Sequence, residues 1–156
     1  MQHITVFKAE AISALQLHAG ATVVDCTLGS GGHSREILQA ISPGGTLVAF
    51  DADPTAIADN QELTQQKDVT VHLVNQNFAA LTPALCDLGV STFDAILADL
   101  GWRSEQLADG ARGFSFQETG PLLMACGDPA TYPFTAYDIV NEWDEAVLAD
   151  IIFGYG

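Results

Sequence analysis

TVVDCTLGSGGHSREIL, residues 22–38, joins a strand pattern to a helix pattern through a glycine-rich turn. An apolar, β-prone run ends in Asp25, glycines fill most of 29–32, and an amphipathic helical pattern opens at Ser34. Open parallel sheets bind nucleotides at such strand–turn–helix junctions, at the carboxyl ends of their strands. Glycines let the backbone approach a ligand, and the first turn of the helix supplies free N–H donors.

The glycine spacing separates two kinds of nucleotide ligand. A dinucleotide fingerprint has the pattern G-x-G-x-x-G, whereas this turn has G-x-G-G-H. The missing third glycine disfavours a pyrophosphate-binding turn and favours a ligand without phosphate, such as S-adenosylmethionine. A turn that serves only a tight strand-to-helix connection remains the alternative at this point.

A second apolar run, TLVAFD at 46–51, ends in Asp51. A ribose-binding carboxylate stands about twenty residues beyond the glycine turn in such folds, and Asp51 is at that distance. Its oxygens can accept from both ribose hydroxyls. Asp53 precedes Pro54, an order typical of an N-cap followed by proline at the first helical position. We therefore assign Asp51 to the ligand and Asp53 to the helix.

The alternation of strand and helix patterns continues along the chain. Helices are predicted at 54–66 and 78–88, and strands at 69–74 and 93–99, the last of these ending in Asp99. Four strands alternating with helices predict an α/β fold with a partial parallel sheet covered on both faces.

The last part of the chain returns to a helical pattern after an irregular stretch. Thr135 is predicted to cap a helix together with Asp138, in a capping-box arrangement. In the helix that follows, the acidic residues are expected to face solvent. The apolar residues Val147, Leu148, Ile151 and Ile152 are expected to pack inward.

Composition limits the classes of partner. The net charge is −15, from 20 acidic and 5 basic residues. A nucleic-acid-binding surface usually carries a basic patch, and only Arg103 and Arg112 flank the loop after the fourth strand. Three widely spaced cysteines and four scattered histidines match neither a disulfide framework nor a metal site. Without a signal-peptide pattern or an apolar run long enough to cross a bilayer, we expect a soluble cytoplasmic protein with no membrane contact.

Seven motifs occur in the order seen in one family: HITVFKAEAISAL, DCTLGSGGHSREIL, FDADPTAI, NQNFAAL, DAILADLGWRSEQL, RGFSFQETGPLLM and TAYDIVNEWDEAVLADII. In these motifs the chain resembles the S-adenosylmethionine-dependent methyltransferases that modify the N4 amino group of a cytidine in the decoding region of small-subunit ribosomal RNA. The resemblance covers nearly the whole chain. It implies a Rossmann-like class I methyltransferase fold, with S-adenosylmethionine as cofactor. The implied partner is small-subunit ribosomal RNA or the assembled small ribosomal subunit, with no metal involved.

The resemblance also implies a set of site residues and two domains. The cofactor-binding positions of the family fall on Gly31, Gly32, His33, Asp51, Phe78, Asp99 and Gln106, and Asp99 is the catalytic candidate. Residues 1–101 correspond to a partial cofactor-binding domain. Residues 102–156 correspond to an active-site loop and the beginning of a helical substrate-binding insertion.

Physical roles can be given to these positions. The backbone at His33 is expected to bind the amino-acid end of the cofactor, and Phe78 to lie against the adenine, the alternative being a core phenylalanine. Asp99 is expected at the rim where methyl donor and acceptor meet, where it or a carbonyl of the next two residues orients the exocyclic amine. Gln106 offers a donor and an acceptor near that rim.

The chain departs from the family pattern in three places. Trp102 and Arg103 replace smaller residues after the D-L-G motif, and Leu123 and Ala125 replace an acid and an arginine. These changes fall on the side expected to face RNA. The chain also stops inside the expected insertion, so we expect a fragment or a shortened relative, with weak or no methyl transfer if the later strands are absent.

Two other functions remain open at this stage. An NAD-linked oxidoreductase would also place Asp51 on a ribose, but the third glycine and a hydride-site lysine or histidine are missing. A non-catalytic, cofactor-binding remnant is consistent with the short chain and the altered rim.

Overall fold

The computed structural model describes residues 7–156, and for residues 104 and 105 the backbone alone. His3 and the beginning of the motif HITVFKAEAISAL lie outside the described residues. The chain divides into two compact units, the first ending at Arg103 and the second comprising Ser104–Gly156.

The first unit is built on a parallel four-stranded sheet. Its strands are β1 (Thr22–Asp25), β2 (Thr46–Phe50), β3 (Thr70–Val74) and β4 (Ala95–Leu97), in the order β3-β2-β1-β4. The register places Thr22 opposite Thr46, and Asp25 opposite both Ala49 and Leu97. The predicted α/β fold with a Rossmann-like parallel sheet is confirmed.

One helix precedes the sheet and three connect its strands, as the alternation predicts. They are α1 (Lys8–Leu15), α2 (Gly32–Ile41), α3 (Pro54–Asp59) and α4 (Leu81–Asp87). The predicted helix at 54–66 is interrupted at Asn60 and continues as a 3-10 helix, Gln61–Gln65. The predicted helix at 78–88 likewise begins as a 3-10 turn, Phe78–Ala80.

The core of this unit lies on both faces of the sheet, because successive residues of a strand point to opposite sides. On one face Val23 and Leu47 pack with Ile37 and Ile41 of α2. On the other face Val24, Val48 and Phe50 pack with Ala84 and Leu85 of α4. Both faces are therefore covered at β1 and β2, which holds the ends of these two strands in place.

The second unit contains α5 (Ser104–Ala108), α6 (Ala136–Glu142) and α7 (Glu145–Tyr155), with 3-10 turns at Gly110–Arg112 and Pro129–Thr131. The capping box at the start of α6 is confirmed. The Thr135 N–H donates to Asp138 Oδ2 at 2.7 Å, and the Asp138 N–H donates to Thr135 Oγ1 at 3.4 Å.

The predicted inward packing of α7 is wrong for three of the four apolar residues named in that prediction. Val147, Ile151 and Ile152 are exposed, Ile152 by 69%, and Leu148 is half-buried. An amphipathic pattern identifies an apolar side but not what covers it. Among residues 7–156, no helix combines the length and apolar character needed to cross a membrane.

Candidate functional site

Three carboxylates stand at the carboxyl ends of neighbouring parallel strands. Asp25 ends β1, Asp51 follows β2 directly, and Asp99 follows β4 by two residues. Asp25 is fully buried, Asp51 is half-buried, and the Asp99 side chain is 50% exposed. Because parallel strands end at the same edge of a sheet, this edge carries a concentration of negative charge next to the glycine turn.

The glycine turn connects β1 to α2 and is tied to β2. The Leu28 N–H donates to the Phe50 carbonyl at 2.9 Å, and the Gly29 N–H donates to Asp51 Oδ2 at 2.8 Å. Gly29 and Gly31 have φ angles of 53° and 76°, in the left-handed region that glycine adopts without strain. Tertiary hydrogen bonds therefore define the turn in addition to its glycines.

Asp51 and Asp53 have the different environments that the sequence indicated. Asp51 accepts the Gly29 N–H on one oxygen and the Asp53 N–H on the other, at 2.9 Å, and each oxygen keeps further acceptor capacity. Asp53 is buried and accepts from the N–H and hydroxyl of Thr55 in the first turn of α3. The prediction that Asp53 caps this helix is confirmed, whereas ligand binding by Asp51 stays a prediction.

Asp25 is a buried carboxyl that the sequence analysis did not select as a site residue. Burial raises its pKa, and hydrogen bonds from the Ser34 hydroxyl at 2.6 Å and the Thr27 N–H at 3.0 Å act in the opposite direction. Its two oxygens thus join the end of β1 to the turn and to α2.

Asp99 and His33 are brought together. Nε2 of His33 lies 3.4 Å from Oδ2 of Asp99, and the His33 side chain is only 7% exposed. The Asp99 N–H donates to Thr27 Oγ1 at 2.8 Å. His33 Nδ1 is buried and has no hydrogen-bond partner among the described residues. The sequence indicated a role for the backbone of His33 alone, yet its ring is the group that contacts Asp99.

The structure bears differently on the predictions made for Phe78 and Gln106. Phe78 is 41% exposed, so the alternative of a core phenylalanine is wrong, and its ring is available to a ligand. Gln106 lies in α5, in the second unit, and its predicted position beside Asp99 stays a prediction.

The two arginines near the D-L-G motif face carboxylates of their own units. The guanidinium of Arg103 lies 3.3 Å from Asp59 and 4.0 Å from Asp53, and its side chain is 12% exposed. In the second unit, Arg112 pairs with Asp109 at 3.2 Å and donates to the Cys126 carbonyl at 2.7 Å. Both cations are thus matched by protein acceptors.

Two further residues contact the turn from its outer side. Asn60 Nδ2 donates to the Gly29 carbonyl at 3.1 Å, and Arg35 donates to the Ser30 carbonyl at 2.6 Å. Arg35 lies within the glycine-turn motif but was given no role from the sequence, and Asn60 could not be found there because its contact joins positions 31 residues apart. Over residues 7–156, no group of three or more histidine, cysteine or acidic side chains is arranged to hold a metal ion.

Sequence comparisons with known proteins match nearly the whole chain. The profile of the MraW methylase family matches residues 1–156. The chain is 43% identical over 154 residues to the ribosomal RNA small subunit methyltransferase H of Brevibacillus brevis, covering 99% of this chain and 48% of that protein. It therefore spans about half the length of this curated relative.

The comparison with solved structures concerns the fold alone. The crystal structure of PH0851 superposes with a TM-score of 0.50 and 22% identity, covering 62% of this chain and 21% of that one. This likeness is consistent with the parallel sheet and its connecting helices.

Proposed function

This chain belongs to the MraW methylase family, and on that premise we propose that it contributes to methyl transfer from S-adenosylmethionine to the N4 amino group of a cytidine in small-subunit ribosomal RNA. Because the chain covers 48% of its relative, the activity of the whole protein is part of this proposal. So are its partner, the ribosomal RNA or the assembled small subunit, and its place in the cytoplasm.

The observation that carries the proposal is the set of carboxylates around the glycine turn. Asp51 and Asp99 lie at the ends of strands on either side of β1, and Asp25 is buried between them in the strand order. S-adenosylmethionine carries a sulfonium and an ammonium, whereas NAD carries a negatively charged pyrophosphate. Since opposite charges attract and like charges repel in a site of reduced dielectric, this edge favours the cationic ligand.

The residues present fit the cofactor. The first turn of α2 has backbone N–H groups at Gly32 and His33 that are free of intrahelical bonds, suited to a carboxylate. Asp51 retains acceptor capacity for ribose hydroxyls, and the exposed ring of Phe78 offers a surface for an adenine. When bound, the cofactor supplies an electrophilic methyl group on a sulfonium.

Asp99 is the group of this chain suited to the acceptor amine. Its half-exposed carboxylate can accept an N–H of the cytosine amine and so direct the nitrogen lone pair toward the methyl, with reacting atoms roughly 3–3.5 Å apart. Thr27 holds the backbone N–H of Asp99 and His33 contacts its carboxylate, so that less ordering is needed on substrate binding. The target base must be unstacked to reach this edge.

Cofactor binding is tested by titration calorimetry of the purified chain with S-adenosylmethionine and with NAD. We expect heat of binding with the first ligand only. Asp51→Asn should weaken that binding by about tenfold to a hundredfold, since it removes a charged acceptor. Asp87→Asn, at the exposed end of α4, is the matched control and should bind as the wild type does. Binding of NAD alone would instead establish the oxidoreductase alternative.

Catalysis is tested by adding the chain and labelled cofactor to hypomethylated small ribosomal subunits and counting methyl groups on N4 of cytosine. Because the chain covers 48% of its relative, we expect only weak transfer by the wild type, and none by Asp99→Ala. Retained turnover in this variant would exclude a catalytic role for Asp99. Cofactor binding without any transfer by the wild type would support the non-catalytic remnant.

A further inference from the structure

Asn60 is a buried residue at the end of α3, and its side-chain amide bonds both to α3 and to the glycine turn. It is 1% exposed. Its Nδ2 donates to the Gly29 carbonyl at 3.1 Å and to the Ala56 carbonyl at 2.8 Å, and its Oδ1 accepts from Arg35 at 3.0 Å. Every polar atom of this side chain is therefore used, and one of its bonds holds the turn.

Arg35 holds the next peptide of the same turn. One terminal nitrogen of its guanidinium donates to the Ser30 carbonyl at 2.6 Å, and the other donates to Asn60 and to Glu62 Oε1 at 2.6 Å. Two consecutive carbonyls of the turn are thus fixed by side chains from α2 and from the end of α3. We call Arg35 and Asn60 the turn clamp.

The turn clamp also explains why position 31 is glycine. A Cβ on Gly31 would overlap Oδ1 of Asn60 and would lie 2.6 Å from the Arg35 guanidinium. The space that a side chain would fill is therefore occupied by the turn clamp. The absence of a Cβ at Gly31 serves packing inside the protein as well as any approach of a ligand.

We propose that Arg35 and Asn60 are positioning residues for the cofactor-binding turn, an inference that rests on the proposed function. In a planar trans peptide the carbonyl and the following N–H point in opposite directions. Holding the Gly29 carbonyl against Asn60 therefore directs the Ser30 N–H to the other side of the turn, away from the turn clamp. The donors of the turn are set before a ligand arrives, which lowers the ordering cost of binding.

This role differs from simple stabilisation of the fold. The Arg35 and Glu62 side chains are 43% and 54% exposed, and a solvated ion pair contributes little to stability. Removing the guanidinium should therefore affect the turn more than the free energy of unfolding. A matched control lies on the same helix, where Glu36 pairs with Lys8 at 2.7 Å with similar exposure and without touching the turn.

The experiment compares Arg35→Met, Asn60→Asp and the control Glu36→Gln. Asn60→Asp keeps an acceptor for Arg35 but replaces the donor to the Gly29 carbonyl by a negative oxygen. We expect S-adenosylmethionine to bind about tenfold more weakly to the first two variants, measured by calorimetry well below their melting temperatures. The control should match the wild type.

Hydrogen exchange provides a readout that needs no ligand. The Gly31 N–H donates to the Leu28 carbonyl at 2.7 Å inside the turn, and its exchange should accelerate in Arg35→Met but not in Glu36→Gln. Wild-type affinity together with wild-type exchange in Arg35→Met would overturn the proposal, and so would equal changes in the control. If the wild type bound no cofactor, the proposed function would fail, and the Gly31 exchange would still decide whether Arg35 and Asn60 hold the turn. Arg35→Met replaces a half-exposed side chain, so this test remains available if Asn60→Asp does not fold.

Discussion

The two units of this chain are stabilised in different ways. In the first unit, both sheet faces are packed, and fully buried side chains such as Val23, Leu47 and Phe50 fix the strand ends. In the second unit, Ala125 is the one buried apolar residue among those described, and the apolar side chains of α7 are largely exposed. Long-range packing thus positions the carboxylates of the site, whereas the helices of the second unit depend on local caps and turns.

The largest difference in the free energy of unfolding between the two units should come from replacing one phenylalanine of each unit by alanine. Phe50→Ala removes a ring that is 0% exposed and should lower the free energy of unfolding by about 3–5 kcal/mol. Phe153→Ala, at a ring 95% exposed, should change it by less than about 0.5 kcal/mol. Urea denaturation followed by circular dichroism measures both. Equal losses would show that α7 is packed as tightly as the sheet.

A smaller effect is expected from the cap of α6. Thr135→Ala removes one side of the capping box and should destabilise this helix by about 1 kcal/mol, because the first N–H groups of the helix lose an acceptor. Faster hydrogen exchange at Ile139, whose N–H donates to the Thr135 carbonyl, would report it. Exchange in β1 and β2 should stay as in the wild type. Faster exchange in those strands would mean that the cap stabilises the whole chain and not α6 alone.

The smallest expected effect is on the pH dependence of stability, and it comes from the buried carboxyl of Asp25, one of 20 acidic residues. Burial raises its pKa, so between its unfolded and folded pKa values the folded state holds more protons than the unfolded state. Stability contributed by this group is therefore lost as the pH rises through that window. In Asp25→Asn this part of the pH dependence should disappear, which urea midpoints measured from pH 4 upward will show. Identical slopes in the two proteins would mean that Asp25 does not titrate there.

The sequence predicts the sheet better than the contacts around it. The alternation of patterns locates β1 and β2 almost to the residue, because their apolar runs are buried on both faces. The strand predicted at 93–99 is shorter, Ala95–Leu97, and the helix predicted at 54–66 is interrupted where Asn60 turns its side chain to backbone carbonyls. A local pattern contains no information on such competing bonds.

In the site, too, local sequence patterns predict the elements but not the contacts between distant residues. The glycine turn and the carboxylates at strand ends follow from strand–turn–helix order, and the cap at Asp53 follows from the proline after it. The contact of His33 with Asp99 and the bonds made by Asn60 do not, since they join positions far apart in the chain. The exposed face of α7 escaped prediction for a related reason: periodicity shows that one side is apolar, but burial depends on the rest of the fold.

The ion pairs of this chain have a consequence for its response to ionic strength. Four of the five basic side chains already neutralise a carboxylate, namely Lys8, Arg35, Arg103 and Arg112. Few basic side chains of these 156 residues are therefore left to replace the counterions bound to a polyphosphate strand, and the surplus acidic side chains repel the strand. Added salt screens that repulsion, so the surface formed by these residues should tolerate concentrated electrolyte better than the basic surfaces of most proteins that handle RNA.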